Sequence, residues 1–279
     1  CSARLFQLDS RLVDYLLVGC GRRPQEVAEL LWRHARGDEA LRNDGCRPRT
    51  WGPRPFNMFP TEDLRRRVEY AREMLAGAKE LRFSSPAGTK MLYRLGQYPV
   101  ISEYGYTCEP GRWDHFPSGF SFTQGNDGEI EGTVVLRPGD ILAAFKSYVQ
   151  TPVRLTVKAG MITDIAGDGL DAGLVCSYIE SFDDPRGYAV SHIGWGLNER
   201  AQWHHIAATR KLPTEHVMNA LSFYGNVLFS TGPNTEVGGT NDTPCHIDLP
   251  MRGCSLWVDG LQVLQDGKVI HPEMRAPGR

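Results

Sequence analysis

Val153-Arg154-Leu155-Thr156-Val157 and Met161-Ile162-Thr163-Asp164-Ile165, joined at Ala159-Gly160, carry the reading of the fold. Both runs are strand-like, and a glycine turn separates them. The pattern recurs outward from this pair. Gly132–Leu136, Trp257–Asp259 and Gln262–Leu264 read as strands, and Asp266-Gly267 predicts a hairpin turn into Val269-Ile270. Helices interrupt the strands. Thr61 suits an N-cap, Glu62 and Asp63 put acid in the first turn, and Leu64, Val68, Ala71 and Leu75 line one face. Further helices are expected around Leu170–Phe182 and Thr214–Tyr224, and Pro24 to His34 carries Val27, Leu30, Leu31 and His34 at helical spacing. Mixed helices and hairpins predict an α/β or α+β architecture.

Composition changes near residue 60. The first 59 residues are rich in Arg, Gly and Pro, and Arg47-Pro48-Arg49-Thr50-Trp51-Gly52-Pro53-Arg54-Pro55 reads as a loop or linker. The expected division is therefore residues 1–59 and residues 60–279. Across all 279 residues, 33 acidic side chains face 31 basic ones, for a net charge of −2. That near-balance argues against nucleic acid as the main partner, because phosphate binding wants a basic field. Apolar residues at 41% are enough for a packed core. No run reaches the roughly 18 apolar residues of a membrane span. The start at Cys1, with no signal pattern, suggests a processed product or fragment. Seven scattered cysteines without Cys-x-x-Cys argue against a disulfide framework or zinc knuckle, so a cytoplasmic location is expected.

Histidine is the informative residue. In an extended Cys245-His246-Ile247-Asp248 segment, His246 and Asp248 project from one face, a half-site for a metal. His192, between Ser191 and Ile193 with Gly194 and Gly196 beyond, is a candidate third ligand. His204 and His205 are adjacent and diverge on a regular element, so they read as surface residues or supports. His216 and His271 read as solvated. Two imidazoles and one carboxylate suit ferrous iron, and zinc accepts the same set. The ligands alone do not choose between oxygen chemistry and hydrolysis. Ser230 lacks a Gly-x-Ser-x-Gly context, and Gly232 to Gly239 is no phosphate loop, since no Gly-Lys-Ser/Thr follows.

Six segments are dense in polar and aromatic groups: Leu95-Gly96-Gln97-Tyr98-Pro99, Glu103-Tyr104-Gly105-Tyr106, Glu109-Pro110-Gly111-Arg112-Trp113-Asp114-His115, Ser191-His192-Ile193-Gly194-Trp195-Gly196-Leu197, Phe229-Ser230-Thr231-Gly232-Pro233-Asn234-Thr235-Glu236-Val237-Gly238-Gly239 and Thr243-Pro244-Cys245-His246-Ile247-Asp248. Together they closely resemble the 2,5-dihydroxypyridine 5,6-dioxygenase family, from about Pro60 to about Ile270. The resemblance implies an enzyme of aerobic nicotinate and nicotine breakdown. Its fold would be a partial N-terminal α/β domain followed by a mixed catalytic domain like that of thermophilic leucine aminopeptidases. It implies mononuclear Fe(2+) held by His192, His246 and Asp248, with the Ser230 hydroxyl close by. It implies a pocket containing His34, Glu103 and His115. His115 suits acid/base work, Glu103 could accept a hydroxyl proton or hold His115 in one tautomer, and Tyr104, with Tyr106, Trp113, Phe116 and Phe120, suits stacking on a flat ring. The partners would be a hydroxypyridine and O2, in a cytoplasmic homo-oligomer. The product would be N-formylmaleamate. A metal-dependent aminopeptidase of the related fold is the alternative.

Overall fold

A computed structural model describes residues 58, 60–105, 112, 114, 115, 118–208 and 217–278. The expected helix at 24–34, His34, His216 and nearly all of the segment up to residue 59 lie outside the described residues.

The first described helix is α1 (Glu62–Gly77), and its start follows from its sequence: the Thr61 hydroxyl accepts the Leu64 N–H at 3.1 Å. Leu64, Val68, Ala71 and Leu75 are buried, as their spacing predicts. Arg67 lies among them, fully buried, which the apolar pattern does not predict. Its guanidinium is paired with Asp63 and Glu199 and donates to the Leu197 carbonyl. A buried charge is tolerable only with such partners. These contacts tie α1 to the end of the central strand of the site, described below.

Strands dominate the rest of the described chain. They are β1 (Glu80–Ser84), β2 (Lys90–Arg94), β3 (Ile101–Glu103), β4 (Phe120–Gln124), β5 (Ile130–Leu136), β6 (Ile141–Leu142), β7 (Ser147–Tyr148), β8 (Val153–Lys158), β9 (Met161–Ala166), β10 (Val190–Gly196), β11 (Val227–Thr231), β12 (Ile247–Met251), β13 (Ser255–Val258), β14 (Leu261–Gln265) and β15 (Lys268–Val269). Helix α2 (Leu170–Glu180) precedes β10, and the short α3 (His205–Ala208) and α4 (Val217–Leu221) precede β11. One sheet has the order β15-β14-β13-β1-β2-β5-β8-β9 and a second β12-β11-β10-β4-β3. Pairing in both is antiparallel among the described residues, which is the mixed form of the expected fold.

The β8–β9 hairpin turns at Ala159-Gly160, with φ of 48° and 75°. Such two-residue turns need positive φ at both positions. Alanine is held there by an added bond, its N–H donating to Glu131 at 2.7 Å. Asp266-Gly267 repeats the turn, as expected. Asp259-Gly260 repeats it too, so Asp259 leaves the strand in which sequence placed it. Its carboxylate accepts the N–H groups of Lys79 and Glu80, and that fixes the turn.

The core lies between the two sheets and under α1. Phe83 of the large sheet meets Phe229 of the small one at a ring separation of 6.4 Å. Ile193, Phe229, Ile247 and Leu249 point into this core. By the two-residue period of a strand, His192, Ser230 and Asp248 point to the other face.

Candidate metal centre

Three neighbouring strands of the small sheet build the site. Ser230 on β11 lies directly opposite Asp248 on β12. The β10–β11 register shifts between Val190 and Ile193, and His192 sits in that irregularity, opposite Gln124 of β4. Such bulges re-aim side chains. Here His192 Nε2 comes within 3.1 Å of Asp248 Oδ1, and His246 Nε2 within 3.3 Å of the same oxygen. The three prospective ligand atoms all lie within 4.8 Å of one another. His246 and Asp248 thus share a face as expected, and the fold adds His192 from 54 residues before His246 in sequence.

The surroundings orient these groups. His246 Nδ1 donates to the Thr231 carbonyl at 2.9 Å, which leaves Nε2 as the coordinating nitrogen. The Phe122 ring lies 4.9 Å from the His192 ring. The Ser230 hydroxyl donates to the His192 carbonyl at 3.2 Å and steadies the irregular backbone. Gly232, at φ 107°, is required beside it, because any side chain would collide with the Cys245 carbonyl next to His246.

Electrostatics follow the geometry. Burial pushes the Asp248 carboxyl upward, but the two imidazoles outweigh it and hold it well below the usual carboxylate range. Burial pulls His246 down, yet the Asp248 charge and hydrogen bond raise it to about 9. One carboxylate oxygen facing two imidazole nitrogens wants a positive charge between them. Two nitrogens and one oxygen at this separation fit a divalent first-row metal, and the Thr231 carbonyl supplies the customary outer support.

A second cluster gathers at β3 and the segment after it. His115 Nδ1 lies 2.8 Å from Glu103 Oε2, and Ser118 Oγ donates to the same oxygen at 3.2 Å. Glu103 is 1% exposed, whereas the His115 side chain is 44% exposed. Burial lowers the His115 pKa, but Glu103 more than offsets it and the net shift is upward. The Glu236 charge raises both His115 and His246, so both clusters feel one carboxylate. Tyr104 is buried with the Arg112 guanidinium 3.8 Å from its ring centroid. Phe120 packs with Phe122, while Tyr106, Trp113 and Phe116 lie outside the described residues.

Three further histidines lie among the described residues. His204 is exposed, but His205 is buried, and burial lowers its pKa. His271 is half-buried with its ring 5.2 Å from Tyr70, not solvated as expected. Sequence pointed to Arg94 or Arg112 as a structural partner of Glu103, whereas Arg94 pairs with Glu80 and Arg112 with Asp114 and the Ser102 carbonyl; Phe122, Thr231 and Asp114 were passed over. Two of these act through backbone or ring contacts that leave no spacing signal.

A family model described as 2,5-dihydroxypyridine 5,6-dioxygenase matches residues 56–271. The 2,5-dihydroxypyridine 5,6-dioxygenase of Pseudomonas putida KT2440 is 49% identical over 216 residues, covering 77% of this chain and 61% of that protein. A solved structure of 2,5-dihydroxypyridine dioxygenase from Pseudomonas putida KT2440 superposes with a TM-score of 0.75 at 47% identity, covering 79% of this chain and 63% of that one. Wild-type AmpT from Thermus thermophilus has a TM-score of 0.53 at 14% identity, over 90% of this chain and 61% of that one, a likeness of fold alone. The chain spans about three fifths of the length of these relatives. With the match running through both clusters, the chain belongs to the 2,5-dihydroxypyridine 5,6-dioxygenase family.

Proposed function

We propose that this chain carries the iron site of a dioxygenase that opens 2,5-dihydroxypyridine between carbons 5 and 6 with O2, giving N-formylmaleamate. The observation that carries the reading is the convergence of His192 Nε2, His246 Nε2 and Asp248 Oδ1. These three would hold Fe(2+) on one face. Bound there, ferrous iron would supply a meeting point for substrate and O2 and pass electron density between them.

The protein's own groups do the rest. The Thr231 carbonyl fixes the tautomer of His246, and Phe122 limits the ring of His192. Ser230 holds the His192 backbone and borders the ligands. Glu103 holds His115 through Nδ1, so proton exchange with a ring hydroxyl runs through Nε2. The raised pKa favours an imidazolium that can return the proton as the ring opens. Tyr104, next to Glu103 in sequence and covered by the Arg112 guanidinium, is kept as a substrate-binding residue in this reading. His34, outside the described residues, is kept as a proposed substrate-binding residue on the family resemblance alone.

The alternative is a metal-dependent aminopeptidase. A two-metal peptidase needs additional ligands around the site, and the described residues supply one three-ligand group. Anaerobic reconstitution with Fe(II), followed by oxygen-electrode turnover, separates the two. The dioxygenase reading predicts one iron per chain and one O2 consumed per 2,5-dihydroxypyridine. Two zinc ions with peptide cleavage, or no oxygen uptake, would overturn it.

A further inference from the structure

We propose that Arg112 and Asp114 form a clasp that positions His115 against Glu103, an inference that rests on reading this pair as the proton-handling group. The clasp grips the backbone on both sides of Glu103. Asp114 Oδ2 accepts the Tyr104 N–H at 3.0 Å, and Oδ1 accepts the Gly105 N–H at 2.9 Å. Arg112 Nη2 donates to the Ser102 carbonyl at 2.6 Å and to Asp114 Oδ2 at 2.8 Å. The same guanidinium lies over the Tyr104 ring, 3.8 Å from its centroid, and its Nη1 is 3.7 Å from Glu69 of α1. Residues 102, 104 and 105 are therefore fastened to residues 112 and 114, and His115 is the next residue along.

The clasp adds to what the pair itself and the Ser118 hydroxyl on Glu103 supply. An exposed imidazole reorients on the picosecond to nanosecond scale, and an ion pair with one partner in water contributes little. Asp114, only 7% exposed, receives three donors, one of them charged, and such bonds are the strong ones. Tyr104 and Arg112 add a stacked contact that lysine does not reproduce. Beyond the Ser118 bond to Glu103, the dyad is thus preorganised by contacts to the backbone on either side of Glu103.

The charges that bear on His115 are Glu103 from β3, Glu236 from the turn after β11, and its neighbour Asp114. Arg112→Lys keeps the charge but loses the fork and the stacking. The clasp predicts that His115, followed by NMR titration of its ring in the metal-loaded protein, then titrates lower, toward an ordinary histidine. Arg112→Gln gives a sign test. Loss of a positive charge alone would raise the His115 pKa, whereas loss of the clasp lowers it. In both variants kcat should fall about tenfold, with KM changing less and metal content unchanged. If one variant does not fold, the other carries the test. An unchanged or raised His115 titration in a folded variant overturns the clasp, even if turnover falls. The titration needs no turnover, so an inactive wild type would defeat the proposed reaction while leaving the clasp standing or falling on its own.

Discussion

The two clusters sit on one sheet but are held by different means. His192 on β10 and Asp248 on β12 project from the two strands that flank β11, and the other face of these strands is buried against the core by Ile193, Phe229, Ile247 and Leu249; His246 immediately precedes β12. Their spacing is set by strand register, and register is anchored by burial. Glu103 and His115 lie at the other edge, on β3 and the segment after it, where β3 pairs only with β4 in the small sheet. There, side-chain bonds to backbone do the work of register. The lesson is that one edge should fail only with the fold, whereas the other should loosen while the fold stands.

Removing a ligand should have the largest effect. His192→Ala and Asp248→Ala should abolish both metal retention and oxygen uptake, as read by elemental analysis and the oxygen electrode. Near-normal turnover in either would break the account of the strand edge. His115→Gln should leave the metal in place and lower kcat by about 10²–10⁴. A metal-free His115→Gln protein would erase the distinction between the two edges. Beneath the strand edge, Phe229→Ala should cost about 3–5 kcal/mol of stability, measured by denaturant unfolding, because Phe229 is fully buried. Metal affinity should fall with it, since the ligands depend on that packing.

The smallest effect concerns pH. In the metal-free protein His246 is raised from 6.5 to about 9 by Asp248. A raised histidine contributes stability that is complete below its unfolded pKa and lost as pH rises through its folded one. Metal-free protein should therefore lose Tm between about pH 6.5 and pH 9, from this group alone. Metal must displace that proton, so affinity should rise with pH over the same window. A flat Tm and pH-independent metal binding would show that His246 and Asp248 are not coupled.

Much of the strand edge was legible in sequence. His246 and Asp248 are two apart in an extended run, and alternation alone places them together. His192 was legible only as an unusual polar residue among apolar ones. Nothing in its spacing could reveal the register shift that turns it toward Asp248. The hairpins at Ala159-Gly160 and Asp266-Gly267 were readable because their turns demand particular residues. The strand before Asp259-Gly260 was read one residue too long, although Asp-Gly is itself a hairpin signal. The other edge was less legible. Its clasp depends on a carboxylate and a guanidinium reaching backbone across a segment, and backbone partners have no signature of their own. Arg67 is the same case in the core.

Anaerobic Fe(II) titration of the wild type and His246→Ala, run side by side on the full protein, tests the central claim most directly. The account predicts one tightly held iron per wild-type chain and none in the variant. Equal loading of the two proteins would contradict it.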